Sequence, residues 1–346
     1  MGTTAEKLNH LISIKEGIRQ EINRAYGSEE IGTSDTFNSY IQKLEEHPFY
    51  VNGLIEGTIE SIKLLNVTSI GVDAFENCNN LTSASFPNVT SIGASAFYSC
   101  GSLNLSSISF PNATSIGEHA FGYCSSLTSV PFPNVTSIGK YAFRSCSSLT
   151  SASFPNVTSM GDYVFKSCSS LTSASFPEAT STGSGTFDSC SSLTSVSFSN
   201  ATGIGNDAFT GCSKLASISF PKATRIGKTA FKSCSSLTNI SFPKVTRIDD
   251  SAFRSCSNLT TASFPRLSYI EEGSTAWIGK KGVFMDCRSL TTLYIGTELS
   301  TVCSLGTGAF QNCSNLANIY VPASLVNSYR SARNWSSYAS KIKAAP

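Results

Sequence analysis

Cysteine is the side chain most able to do chemistry in this sequence, and there are 12 of them. An even cysteine count suggests a disulfide framework, and close pairs suggest zinc. The spacing argues against both. Cysteines stand at 78, 100, 124, 146, 168, 190, 212, 234 and 256, mostly 22 residues apart. Coils stacked in register at that period aim every sulfur the same way, which is poor geometry for a disulfide. No Cys-x-x-Cys pair exists to hold a metal. The expectation is a ladder of free thiols packing as small hydrophobes. Cys303 lies off the ladder and has no assigned place. The remaining chemistry is thin. The histidines are His10, His47 and His119, and no His-Glu-x-x-His or Gly-x-Ser-x-Gly pattern occurs. Gly183-Ser184-Gly185 is too short for a phosphate loop. These observations lead to a non-enzyme with no cofactor and no metal.

The elements that must position these residues follow from the period, since self-similarity at this length marks a stacked repeat. In the coil that starts at Cys124, Leu127, Val130 and Phe132 read Leu-x-x-Val-x-Phe, a strand with Val and Phe on one face. Pro133 ends that strand because it lacks a donor. Val135 and Ile138 form a second inward pair. Gly139 is expected to permit a sharp turn, with Asp249 tolerating the same angles in one coil. Ala142, Phe143 and Cys146 fit about one helical turn facing inward. The first coil is expected at Glu56, with Ile59, Ile62, Leu64, Val67 and Ile70 in the inward slots. One such coil has too small a core to fold, so neighbours share stability.

Lys and Arg total 25 against 23 Asp and Glu, a net charge of +2 with 14% charged residues. So small a net charge gives no field to draw nucleic acid or a membrane surface. No apolar run approaches the roughly 20 residues of a membrane helix, and membrane insertion is not expected. The opening Met1-Gly2-Thr3-Thr4-Ala5-Glu6 lacks a signal-peptide pattern, and Glu6 spoils a myristoylation signal.

The pattern C-S-S-L-T-S-x-S-F-P-N-x-T-S-I-G-x-x-A-F-x-S resembles the BspA-like leucine-rich repeats of bacterial surface proteins and gut bacteriophages. The resemblance covers 56–322 and implies a repeat solenoid of leucine-rich-repeat type, with β-strands and short helical turns at a 22-residue period. It says little about function, because that family is defined by its scaffold. A helical module at 1–48, a solenoid at 49–322 and a helical C-terminal cap at 323–346 are the expected divisions. At the N-terminus Thr3 and Glu6 form a capping box. Leu8, Leu11, Ile12, Ile18 and Ile22 share one helical face, and Phe37, Tyr40, Ile41 and Leu44 share another. This segment is similar to the short helical module opening many tail proteins of tailed bacteriophages. That likeness implies attachment to a tail or baseplate, with the chain made in the host cytoplasm and the solenoid exposed on the virion. A module that merely caps the first coil remains the alternative.

Recognition is expected where coils differ. The outward strand sites barely vary (Thr150, Ser151, Ser153; Thr172, Ser173, Ser175) and offer a hydroxyl face. The turns vary more. Earlier coils carry Tyr98, His119, Tyr123, Tyr141 and Tyr163, which are stacking surfaces with polar tips. Later coils carry Lys222, Arg225, Lys228, Lys232, Lys244, Arg247, Arg254 and Arg266, suited to sulfate, phosphate or carboxylate groups. Trp277, with two lysines, sits in an insertion. The expected partner is a bacterial surface polysaccharide or protein receptor, with tail proteins held through the N-terminal helices. Ordinary solvated turns remain the bland alternative. The functional expectation is an adhesin, tail-associated or on a bacterial surface, or else a spacer component of a tail. A homo-oligomer is compatible with the sequence and not required by it.

Overall fold

The computed structural model describes residues 61–63, 68–81, 83–103, 108–271 and 282–346. The expected N-terminal helices (Leu8, Leu11, Ile18, Ile22, Phe37, Tyr40, Ile41, Leu44), most of the first coil and Trp277 lie outside the described residues. The chain divides into two units, Met1–Phe154 and Pro155–Pro346, and the division falls within the repeat array.

Each unit is a parallel β-solenoid. In the first, Ser69–Ile70, Ser91–Ile92, Ser115–Ile116 and Ser137–Ile138 pair in parallel, Ser on Ser and Ile on Ile. In the second, Gly203–Ile204, Arg225–Ile226, Arg247–Ile248, Tyr269–Ile270 and Ser304–Leu305 form the equivalent sheet. A further sheet of the second unit runs through Asn239–Ser241, Thr261–Phe264, Thr292–Ile295, Asn318–Val321 and Ile342–Ala344. Strands this short cannot hold themselves, so the sheets exist because each Ile, Leu and Phe lands on its counterpart in the next coil. Leu127, Phe132, Val135, Phe143 and Cys146 are all buried, as the offsets require.

Phenylalanines stack along each column. Phe97, Phe121 and Phe143 lie 5.2 and 5.4 Å apart, and Phe209, Phe231 and Phe253 lie 5.2 Å apart at each step. The cysteines add a specific bond. Cys124 Sγ donates to the Phe97 carbonyl at 3.0 Å, and Cys234 Sγ donates to the Phe209 carbonyl at 3.1 Å. The thiol is thus a small hydrophobe that also satisfies a carbonyl of the coil before. Threonines clamp another corner: Thr114 Oγ1 donates to Thr90 O and Thr136 Oγ1 to Thr114 O. Part of the outward hydroxyl face is therefore committed to the backbone, since Thr150 Oγ1 likewise donates to Thr128 O.

Two expectations about the third side of the coil are corrected. The Ala-Phe-x-x-Cys segment is not a helical turn. It holds two left-handed residues per coil, as in Tyr141 (φ 58°) and Ser145 (φ 60°), or His119 (φ 56°) and Tyr123 (φ 62°). Alternate N–H groups then point to the next coil: His119 to Lys140 O, Phe121 to Ala142 O and Tyr123 to Arg144 O. The bond gained lies between coils, whereas a helix would bond within one. Nor do Gly117 and Gly139 serve an unusual angle, because neither has a positive φ, although Gly183 at the same repeat position does, at 70°. Gly117 and Gly139 serve close approach. A Cβ on Gly117 would lie 2.5 Å from the Gly93 carbonyl carbon, and one on Gly139 would lie 2.5 Å from that of Gly117.

The C-terminal cap is only partly helical. A single α-helix, Val326–Ser331, is flanked by the 3-10 turns Ala323–Leu325 and Ser336–Lys341, and the chain then adds the strand Ile342–Ala344 to the last sheet. Cys303 finds its place here. Its N–H donates to Tyr329 Oη at 2.9 Å, and its carbonyl accepts from Trp335 Nε1 at 2.7 Å. Among the described residues no helix is long and apolar enough to cross a membrane.

All 12 cysteines are free and buried. Burial pushes the Cys78 thiol up to about 11 and Cys124 up to about 12. Thiolate is the reactive form, so these groups are inert while folded. A thiol reagent at pH 8 is expected to leave the native protein unlabelled and to titrate all 12 thiols after denaturation. Rapid labelling of the native state would contradict the buried ladder.

Candidate functional site

The outward side of the Ala-Phe-x-x-Cys turn is where coils differ, and the first unit gathers four of the expected residues there. Tyr98 makes edge contacts with His119 and Tyr123 at 5.8 and 5.4 Å. His119 stacks on Tyr141 at 4.8 Å with 23° between the rings. Gly122 lets the Tyr98 ring lie against the next coil, where a Cβ would meet it at 3.1 Å. Two cations not singled out from the sequence complete the cluster. Arg144 lies over both Tyr123 and Tyr141, at 5.3 and 5.5 Å, and Lys140 lies over Tyr141 at 5.0 Å. Both sit at the variable positions beside the repeat glycine and phenylalanine, so the signal that picked out the tyrosines could have found them.

Burial lowers the His119 pKa from its ordinary value; Glu118 opposes this, and Arg144 and Lys140 reinforce it. The imidazole is therefore a neutral ring at pH 7. Burial, with Tyr123 beside it, raises the Tyr98 pKa, so that ring keeps its phenol. Tyr123 is 36% exposed, and the other rings of the cluster are half-buried. The result is a wall of neutral aromatic rings edged by two cations, a surface suited to stacking and hydrogen bonding.

The left-handed backbone sharpens this. His119, Tyr123 and Tyr141 occupy positions that other coils of the same unit fill with Asp73, Asn77, Ser95, Ser99 and Ser145. Short polar residues enter that region cheaply, whereas a bulky ring there is unusual. Stability alone does not call for three rings at such positions.

The other expected residues belong to the second unit. Tyr163 lies flat on Gly185, where a Cβ would be 2.1 Å from its ring, with Lys166 5.3 Å from the ring centroid. Part of the basic set is balanced by acids. Arg225 donates to Asp249 through Nε and Nη2, and Arg247 donates through Nε, so one carboxylate with 0% exposure joins two guanidinium groups. This is why Asp249 replaces a repeat glycine. Its φ is not positive, so tolerance of unusual angles is not the reason. Lys228 lies 3.7 Å from Glu271, Arg266 pairs with Glu298, and Lys222 donates to Asn200. Arg247 also stacks on Tyr269 at 4.4 Å. Lys244 is exposed, while Lys232 and Arg254 are half-buried on the turn. Among the described residues no group of three or more His, Cys, Asp or Glu could hold a metal.

Short parallel strands in register, a buried Leu, Phe and Cys column and a variable outward turn define a leucine-rich-repeat scaffold. The chain belongs to the BspA type leucine rich repeat region family, whose model matches 12–104, 46–172, 90–202, 180–276 and 278–343. That family is a repeat scaffold, and no catalytic family is indicated. No curated protein matches. Among solved structures, a leucine-rich repeat protein from Bacteroides ovatus is similar at 25% identity and TM-score 0.60, over 79% of this chain and 76% of that one. A leucine rich cell surface protein from Faecalibacterium prausnitzii is similar at 24% identity and TM-score 0.46, over 83% and 92%. A leucine rich repeat protein from T. pallidum is similar at 30% identity and TM-score 0.42, over 45% and 78%.

Proposed function

We propose that this chain is a non-enzymatic adhesin of a bacterial surface, and that the Tyr98–His119–Tyr123–Tyr141 cluster with Lys140 and Arg144 binds a cell-surface glycan. The observation that carries this reading is the set of rings at left-handed positions where other coils use small polar residues. Aromatic faces suit sugar rings, and phenol tips suit their hydroxyls. Arg144 and Lys140 suit an anionic substituent. The bacterial setting draws on the repeat family and on the likeness to the Bacteroides ovatus protein.

The test is binding of the whole protein to bacterial cells and to their purified polysaccharides. Saturable binding is expected to one strain, lost when its capsule or wall polysaccharide is stripped. The triple variant His119→Ser, Tyr123→Ser, Tyr141→Ser installs residues that other coils already carry. It is expected to fold as well as the parent and to bind at least tenfold more weakly. Unchanged binding by the variant would reject this surface. A finer reading places the adhesin on a bacteriophage tail, held by residues 1–48, and rests on their likeness to tail-protein modules. Antibody labelling of virions but not of uninfected cells would favour it over the bacterial surface.

A further inference from the structure

The outward face of the second unit's last sheet breaks its own pattern at one place. At the second outward position of successive strands stand Ser175, Ser197, Ser219, Ser241 and Ser263, followed by Tyr294, Tyr320 and, in the last strand, Lys343. Ser263 pairs in register with Tyr294, and Tyr294 with Tyr320. The two rings stack, with centroids 4.9 Å apart and 20° between planes. That separation is about one strand spacing, so the rings follow the stacking direction and a face of Tyr294 turns toward Ser263. Tyr320 backs the other face. A serine is too short to cover a tyrosine ring, and Tyr294 stays half-exposed. The outcome is a step with an aromatic wall and a floor of hydroxyls.

The chemistry of the floor is narrow. Its outward side chains are Asn239, Ser241, Thr261, Ser263 and Thr292, and none carries a charge. They offer hydroxyl donors and acceptors and one amide. An apolar peptide would leave the Ser241, Thr261 and Ser263 hydroxyls unpaired, and these floor side chains offer an acidic or basic ligand no counter-charge. A polyhydroxylated ring with one apolar face matches both wall and floor, the usual combination of one stacking surface with a few placed polar groups. We propose that this step is a second glycan site: a neutral hexopyranose stacks on Tyr294 while its hydroxyls bond to the Ser241, Ser263 and Thr261 side. The site differs in chemistry from the cation-edged turn cluster and does not depend on it.

The repeat supplies its own control. Replacing both rings, Tyr294→Ser with Tyr320→Ser, continues the serine row and removes the wall, so the fold is expected to be unchanged and the step lost. Ser263→Tyr extends the tyrosine stack and moves the open face one strand along, toward Ser241. The whole protein is titrated calorimetrically with cellotetraose and β-1,4-galactotetraose, and with tetragalacturonate as charged comparator. Saturable binding is expected for a neutral probe over tetragalacturonate, weakened at least tenfold by the Tyr294→Ser, Tyr320→Ser double variant and retained by Ser263→Tyr. Tyr141→Ser in the turn cluster is expected to leave it untouched. Binding of neither neutral probe, preference for tetragalacturonate, or unaltered affinity in the Tyr294→Ser, Tyr320→Ser double variant would overturn the proposal.

Discussion

Phe231→Ala is expected to destabilise the second unit by about 3–5 kcal/mol, the range for emptying a large aromatic site in a rigid core. Phe231 is 0% exposed and stacks on Phe209 and Phe253 at 5.2 Å on each side. Its carbonyl also accepts the Cys256 thiol at 3.1 Å, a bond that needs the backbone to stay in place. In a stacked array each coil contacts only its neighbours, so the cavity weakens two interfaces at once. Denaturant unfolding of Phe231→Ala and Phe231→Leu checks this. The Ala variant should show the larger fall in midpoint, and Leu should recover part of it. Equal, small effects would mean that the coils relax around the gap.

The second large effect concerns spacing between coils. Gly205→Ala is expected to cost about 1–3 kcal/mol by overpacking, because its Cβ would lie 2.0 Å from the Gly183 carbonyl oxygen. The neighbour is backbone and cannot swing aside. Gly203, two residues earlier, has no positive φ, and a Cβ there would meet nothing within 4 Å. Gly203→Ala is therefore expected to be neutral or to stabilise by up to about 1 kcal/mol, through the unfolded chain. Thermal unfolding of the pair separates the two roles of glycine. If both substitutions behave alike, close approach is not what the repeat glycine provides.

Much of the scaffold is legible in the sequence because every coil must bury the same slots. The 22-residue step and the offsets of Leu127, Phe132, Val135, Ile138, Phe143 and Cys146 give a stacked parallel array with an inward thiol ladder. Its free, buried cysteines follow from the same periodicity. The turn tyrosines and His119 are also legible, as positions where a strict pattern lapses.

What only the tertiary structure decided lies between coils. The left-handed backbone at His119 and Tyr123 depends on hydrogen bonds from one coil to the next, and no local propensity favours it for tyrosine. The glycine's purpose is set by a neighbouring carbonyl 22 residues away, as with Gly205 and Gly183. The basic turns read as a cationic row until Asp249 and Glu271 are seen beside Arg225, Arg247 and Lys228. The Tyr294 step was hidden because insertions break the period there. Tyr294 stands 31 residues after its register partner Ser263 and 26 before Tyr320. Sequence spacing sets register only while coils keep one length; past an insertion, hydrogen bonding between strands decides which side chains meet.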